Sequence, residues 1–98
     1  MRQTEHRFQF SPDVDLSEAE STIRLSLLAV EGLFGEARVR TEVSYTVDPL
    51  RAEIRVIGDA PVGESVTQIV TSLLSHEFGR SAFTVRRELA PVAAVSAA

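Results

Sequence analysis

The first part of the chain changes from a two-residue period to a helical period. Hydrophobic and polar side chains alternate along residues 6–10, the pattern of a strand with one buried face. Along residues 19–34, apolar side chains instead recur every three or four residues and form one stripe of a helix. Asp15 or Ser17, each with a glutamate three residues later, provides a capping box at the start of this helix. The sequence does not decide which of these two residues begins the helix.

A long alternating stretch follows the first predicted helix. Gly32 or Gly35 supplies the permissive backbone on which that helix ends. Residues 37–47 then alternate strictly between apolar or small and polar side chains, which predicts a second strand. Residues 48–51, Asp-Pro-Leu-Arg, suit a tight turn, and alternation resumes along residues 52–56. The pattern therefore predicts a β-hairpin.

The second half of the chain has the same kinds of segment. Residues 58–63 form a connector, and residues 62–78 carry a second apolar stripe with a polar opposite side. Residues 83–89 alternate as a last strand. Residues 90–98 contain mostly alanine, valine, proline and serine without a period, so we expect a disordered tail there.

A short pattern occurs twice at corresponding places in the two halves. Phe34-Gly35 is followed by Val-Arg-Thr-Glu at residues 39–42, and Phe78-Gly79 is followed by Val-Arg-Arg-Glu at residues 85–88. Each Phe-Gly pair closes a predicted helix, and a strand pattern precedes each helix. The near-repeat therefore predicts two β-α-β halves, each ending in a strand with a Val-Arg-x-Glu motif.

The predicted order β-α-β-β-α-β is that of the split β-α-β unit of ferredoxin-like domains. It implies an α+β domain with a four-stranded antiparallel sheet, in the order 4-1-3-2, and two helices on one face. We assign residues 1–89 to this single domain and residues 90–98 to the tail. The layout resembles that of RNA-recognition motifs, ACT domains, acylphosphatases and heavy-metal-associated domains. The last is the most similar, over residues 16–59.

The loop after the first strand lacks the functional residues of these families. A heavy-metal-associated domain carries Cys-x-x-Cys there, whereas residues 11–15 hold no soft ligand, which excludes copper or zinc transfer. Acylphosphatases place an arginine in this loop and ACT domains usually a glycine, and neither occurs here. The resemblance therefore implies a fold, and this fold hosts many unrelated functions.

Composition limits the function further. The 98 residues include no cysteine, which removes disulfides, thiolate metal sites and cysteine nucleophiles. The net charge is −4, and all ten basic residues are arginine. This charge argues against nucleic-acid binding by bulk attraction. No stretch approaches the roughly 18–20 apolar residues of a membrane span, so we expect a cytoplasmic protein without membrane contact.

Three loops should meet at one end of the domain and gather several ionisable side chains. Three aspartates there could bind magnesium or calcium weakly, but roles as a helix cap, a turn former and a solvated loop residue explain them better. We predict no metal site, no cofactor and no catalysis, since no nucleophile elbow or histidine–serine–aspartate set is present. The gathered residues are Asp13, Asp15, Asp48, His76, Glu77 and Arg80.

The open face of the predicted sheet is the surface with the most distinctive chemistry. It should alternate arginine with glutamate, and every strand aromatic should point to the core side. Such a face suits a nucleic-acid platform, a solvated lattice of cross-strand ion pairs, or a docking surface for a charged protein. The absence of aromatics disfavours nucleic acid, because single strands stack on aromatic rings. The predicted face arginines are Arg7, Arg38, Arg40, Arg51, Arg55 and Arg86.

These patterns favour a small accessory or adaptor domain that binds a protein partner or a second copy. The alternatives are a nucleic-acid-associated module and a small-molecule-sensing regulatory domain. Exposed edge strands favour pairing, and contact through Leu25 and Leu28 offers a second route to a homodimer. The predicted partner-binding residues are Arg38, Arg40, Glu42, Arg55, Arg86 and Glu88.

Overall fold

Four antiparallel strands form one sheet. A computed structural model describes residues 3–59 and 61–89 of the chain, so the predicted tail lies outside the described residues. The strand order is β2-β3-β1-β4, which names the same neighbours as the predicted 4-1-3-2 order read from the opposite edge. The strands are β1 (Gln3–Phe10), β2 (Val43–Asp48), β3 (Glu53–Asp59) and β4 (Phe83–Leu89).

The first helix is α1 (Leu16–Phe34), and of the predicted alternatives it begins after Asp15 and ends before Gly35. Asp15 Oδ1 accepts a hydrogen bond from the backbone N–H of Ser17 at 3.0 Å, so Asp15 is the N-cap. Gly35 ends the helix, with a φ of 96°, and its N–H donates to the Glu31 carbonyl. Only glycine adopts this backbone conformation readily.

The described chain contains three α-helices, not the two that we predicted. After Gly35 a short helix, α2 (Glu36–Glu42), occupies the first part of the predicted second strand, and β2 begins only at Val43. Residues 37–42 were therefore predicted wrongly as strand. The third helix, α3 (Val62–Phe78), and a 3-10 turn (Arg80–Ala82) precede β4.

Local side-chain pairs explain why α2 forms. Glu36 and Arg40 lie one helical turn apart with 2.7 Å between Oε2 and Nη2, and Arg38 Nε lies 3.0 Å from Glu42 Oε2. Pairs of opposite charge three or four residues apart lie next to each other on a helix surface and stabilise the helix. Val39 is 1% exposed and fixes α2 to the core. The alternation along this segment therefore reflects one buried position rather than a sheet face.

The core lies between the sheet and the two long helices. Phe8, Ile54, Ile23 and Leu74 are completely buried and come from β1, β3, α1 and α3. α1 lies on the β2 side of the sheet, since the Tyr45 hydroxyl donates to Glu20 at 2.9 Å. α3 lies on the β1 and β4 side, where Thr67 and Glu64 contact His6 and Arg87.

Candidate interaction surface on the open sheet face and strand β4

The open face carries a row of three arginines across three strands. Arg7 of β1 lies directly opposite Arg55 of β3 and Arg86 of β4 in the strand register. Like charges in direct cross-strand positions repel one another, so this row is stable only with compensating carboxylates.

Glutamates on both sides of the arginine row supply that compensation. Glu5 and Glu53 are only 4% and 6% exposed although they lie on the uncovered face of the sheet. Arg7 Nε lies 2.5 Å from Glu5 Oε2 and 3.3 Å from Glu88 Oε1. The hydrogen bond to Glu5 raises the pKa of Arg7 above its usual value. Arg55 Nε is buried, lies 3.6 Å from Glu53 Oε2 and has no hydrogen-bond partner within the described residues.

The outer end of this lattice is its most accessible part. Arg86 Nη2 lies 3.5 Å from Glu88 Oε2, and the two side chains are 69% and 37% exposed. The Arg7 and Arg55 side chains are only 30% and 31% exposed. A partner that approaches the open face therefore meets Arg86 and Glu88 first, at the β4 edge.

Three of the six predicted partner-binding residues do not lie on the sheet face. Arg55, Arg86 and Glu88 occupy the open face as expected, but Arg38, Arg40 and Glu42 belong to α2. The predicted placement of these three residues was wrong, because the segment forms a helix. Their part in binding a partner stays a prediction.

The correction also changes the nucleic-acid alternative. Of the six predicted face arginines, only Arg7, Arg55 and Arg86 lie on the open face, and each has a glutamate within 4 Å. Arg51 lies in the hairpin turn, with its Nε 3.8 Å from Asp48 Oδ2. The strand aromatics lie on the helix side, as predicted; they are Phe8, Phe10, Tyr45 and Phe83. Among residues 3–59 and 61–89, the open face therefore carries charges of both signs and no aromatic ring on which a base could stack.

The helix side of β4 is incompletely covered. Val85 was expected in the core, yet it is 38% exposed, whereas Phe83 on the same side is 8% exposed. A concave space of about 710 Å³ lies between the end of α3 and Phe83. A smaller space of about 230 Å³ lies at the other end of β4, around Arg87. Val85 lies between Phe83 and Arg87 on the same side of β4, and we call the two spaces together with Val85 the β4 trough.

A polar cluster forms one end of the β4 trough. His6 is 9% exposed, which confirms its expected place over the core, and its Nδ1 lies 3.1 Å from the Thr67 hydroxyl. Burial, with a smaller contribution from Arg87, lowers the pKa of His6, so it is neutral at neutral pH. Arg87 Nη2 lies 3.4 Å from Glu64 Oε2. Sequence periodicity placed His6 correctly but gave no sign of its hydroxyl partner on α3.

The loop end of the domain brings together the segments that we expected to meet there. Phe10 N–H donates to the Ala52 carbonyl and Ser11 N–H to the Ala82 carbonyl, at 2.9 and 2.8 Å. Asp13 accepts from the Ser11 hydroxyl at 2.7 Å, and this bond lowers the pKa of Asp13.

The acidic side chains at this end have partners within the chain. Asp15 caps α1, Asp48 faces Arg51, and Glu77 accepts from the Thr22 hydroxyl at 2.5 Å. Among residues 3–59 and 61–89, no three histidine, cysteine, aspartate or glutamate side chains form a group that could hold a metal ion. Within the same residues, no helix is long and apolar enough to cross a membrane.

Comparison with known proteins supports the fold and gives no information about function. No family model matches the sequence, and no curated protein matches it. Among solved structures, the chain is similar to a de novo designed protein with a ferredoxin fold, determined in solution by NMR. The TM-score is 0.55 at 17% identity, over 93% of this chain and 87% of the designed one. At this identity the likeness concerns the ferredoxin-like fold alone.

Proposed function

We propose that this domain is a non-catalytic adaptor that binds a protein partner along strand β4. The partner would add an extended segment to the β4 edge, and the open face beside β4 would select it by charge. The observation that carries this proposal is the exposure of β4. In residues 3–59 and 61–89, β4 pairs only with β1, and Val85 is 38% exposed on the side that the helices cover elsewhere.

An unpaired edge supplies the affinity of such a contact. Alternate residues of an edge strand present free N–H and C=O groups, and an added strand satisfies them with main-chain hydrogen bonds. β4 contains no proline, so each of its residues keeps a main-chain N–H, and its charged side chains restrict pairing to a partner of complementary charge. The whole of β4 pairs with β1, from Phe83 to Leu89, so its edge is already held in an extended form.

The two sides of β4 supply the specificity. Side chains of an added strand alternate between the faces of the sheet, with about 6.6 Å between neighbours on one side. On the helix side they would enter the β4 trough and contact Val85. On the open side they would face Arg86 and Glu88, so the best partner places an acidic and a basic residue two positions apart.

The helix side of β2, the other edge strand, is in contact with α1. Tyr45 of β2 donates its hydroxyl hydrogen to Glu20 and accepts from Arg24 Nε at 3.0 Å, so α1 side chains lie over the helix side of β2. The hydrogen bond from Tyr45 also lowers the pKa of Glu20. Side chains of a strand added at β2 would meet these α1 side chains on the helix side, and we therefore assign the binding edge to β4.

The test is affinity capture from the native cell with a matched pair of charge variants. The double variant Arg86→Glu/Glu88→Arg keeps the net charge but reverses the pattern beside the edge, and it should lose the captured protein. Arg51→Glu changes an arginine of similar exposure in the hairpin turn, and it should retain it. Capture should also survive nuclease treatment.

Hydrogen exchange locates the contact once a partner is in hand. Amides of β4 that face away from β1 should become protected in the complex, whereas those of β2 should not. Protection confined to β2, or equal capture by the wild type and the double variant, contradicts the proposal. Capture that nuclease abolishes would support the nucleic-acid alternative instead.

A further inference from the structure

The solvent side of α1 carries an apolar stripe in addition to the one that faces the core. Leu25, Leu28 and Leu33 are 58%, 59% and 73% exposed. Ala29 and Gly32 lie between them and are also exposed. These five residues follow the spacing of positions on a single helix face. We call them the α1 leucine face.

The α1 leucine face makes the second half of α1 hydrophobic on both sides. A helix of this kind is normally buried, and a contiguous exposed apolar patch marks an interaction site. Gly32 has no packing role within the described chain, since a Cβ at this position would meet no atom within 4 Å. Glycine in a helix interior is about 0.5–1 kcal/mol less favourable than alanine.

From this face we infer that the protein forms a homodimer in which α1 packs antiparallel against α1 of a second copy. The side chains are arranged symmetrically about Ala29, with Leu25 four residues before it and Leu33 four residues after it. A two-fold axis at Ala29 therefore packs Leu25 of each copy against Leu33 of the other. The small residues between them allow the helix axes to approach closely.

In this arrangement, the charges beside the α1 leucine face of one copy lie near opposite charges of the other copy. Arg24 and Glu31 lie on one flank of α1, five residues before and two residues after Ala29. An antiparallel two-fold brings the same flank of both helices together. It leaves Arg24 of one copy only three residues of helix from Glu31 of the other, which is about 4.5 Å along the axis. The Arg24 side chain is 65% exposed and in one copy contacts Glu20 and the Tyr45 hydroxyl, both at 3.0 Å. Glu31 is 17% exposed and lies 3.7 Å from Arg40, so the pair across the axis would form by exchange of these partners.

A groove beside Leu28 extends the surface beyond one helix. It has a volume of about 490 Å³ and lies between α1, α2 and β2. One helix face is smaller than the roughly 800 Å² per partner of a standard interface, so the groove supplies area that α1 lacks. This surface lies on the β2 side of the molecule and is separate from the β4 edge, so the inference does not depend on the proposed adaptor function.

Sedimentation of the full chain tests the inference. The wild type should sediment at twice the chain mass of 10.7 kDa at high concentration. Leu33→Glu, and separately Leu28→Glu, should sediment as monomers with unchanged circular dichroism, because both leucines are largely exposed in one copy. Leu50→Glu changes a leucine that is 98% exposed in the hairpin turn, and it should remain dimeric. A monomeric wild type, or a dimer that survives both face substitutions, would overturn the inference.

A cysteine variant tests the register. The chain has no cysteine, so Ala29→Cys introduces a single thiol at the proposed axis. A disulfide needs Cα atoms about 4.4–6.8 Å apart, which helices in close contact provide at their nearest positions. Ala29→Cys should cross-link to itself under mild oxidation and Leu50→Cys should not. A dimer in which Ala29→Cys fails to cross-link contradicts the antiparallel register.

Discussion

The segments that follow Gly35 and Gly79 carry nearly the same tetrapeptide in different secondary structures. Both glycines end a long helix in almost the same conformation, with φ and ψ of 96° and 145° at Gly35 and of 91° and 154° at Gly79. Residues 39–42, Val-Arg-Thr-Glu, then form the end of α2, whereas residues 85–88, Val-Arg-Arg-Glu, form the middle of β4. The cap is therefore not what separates the two outcomes.

The residues around each tetrapeptide determine whether it forms a helix or a strand. After Gly35, charges four residues apart are of opposite sign, and Thr41 and Arg38 make further local contacts with the Ala37 carbonyl and the Phe34 ring. After Gly79 no oppositely charged pair has this spacing. Phe83 instead packs on the rings of Phe8 and Phe10, with centroids 6.3 and 6.0 Å away. Local pairs select the helix, and a long-range aromatic contact selects the strand.

The largest expected effect comes from removing the aromatic contact. Phe83→Ala should lower the free energy of unfolding by about 3–5 kcal/mol, because the side chain is 8% exposed and leaves a cavity against β1. Denaturant titration measures this change. Leu50→Ala, at a side chain 98% exposed, should stay within about 0.5 kcal/mol of the wild type. A Phe83→Ala effect as small as that of Leu50→Ala would show that β4 does not depend on this contact.

The next effect comes from breaking α2. Arg40→Pro should cost about 3 kcal/mol, because proline inside a helix removes a hydrogen bond and clashes with the preceding turn. Arg40→Ala is the control: it keeps the helix and removes only exposed ion pairs, which are worth about 0–1 kcal/mol. Thermal unfolding of the two variants separates helix from charge. If proline were tolerated as well as alanine, the segment would not require a helix.

Substitution of the two caps should have a smaller and nearly equal effect. Gly35→Ala and Gly79→Ala each place a Cβ on a backbone with φ above 90°, and strain of this kind amounts to about 1–3 kcal/mol. Apart from the adjacent residues, no atom of the described part of the chain lies within 4 Å of either new Cβ, so crowding adds nothing. Equal losses in paired denaturant titrations would show that the caps are equivalent. Clearly unequal losses would mean that one cap also directs the chain that follows.

His6, which lies on β1 beside β4, should make the stability of the domain depend on pH. The unfolded chain protonates His6 near its usual pKa of 6.5, but the folded chain, in which burial lowers that pKa, stays neutral to lower pH. The unfolded state then binds more protons, so stability should fall as the pH drops below about 6.5. Urea titrations between mildly alkaline and mildly acidic pH measure the slope. His6→Gln should flatten it.

The sequence predicted the β-α-β-β-α-β order because long segments with a clear period dominate it. Residues 83–89 became β4 with the predicted bounds, and the strand neighbours followed from the topology. α2 was missed because its one buried residue, Val39, lies among small and polar neighbours whose alternation equally fits a strand. Glu36 and Arg40, like Arg38 and Glu42, are four residues apart in the sequence, and this helical spacing of opposite charges would have favoured a helix.

The candidate surface was predicted only in part, for a physical reason. Register placed Arg55, Arg86 and Glu88 on the open face, because alternation fixes which face a strand residue occupies. Alternation does not reveal how far a helix covers each strand, so Val85 was assigned to the core although it is substantially exposed. The α1 leucine face lies at helical spacing, and Leu25 and Leu28 were indeed singled out by the sequence.

The placement of the α1 leucine face and the β4 edge on opposite sides of the sheet has a further consequence. The α1 leucine face lies on the β2 side of the molecule, and β2 and β4 are three strand spacings, about 14 Å, apart. A two-fold pairing through α1 would leave both β4 edges free, so each assembly would present two identical binding sites. For a partner with repeated segments, the second attachment becomes intramolecular, and avidity can exceed the single-site affinity by about 10²–10⁴-fold. Weak individual contacts at β4 would then suffice for a long-lived complex.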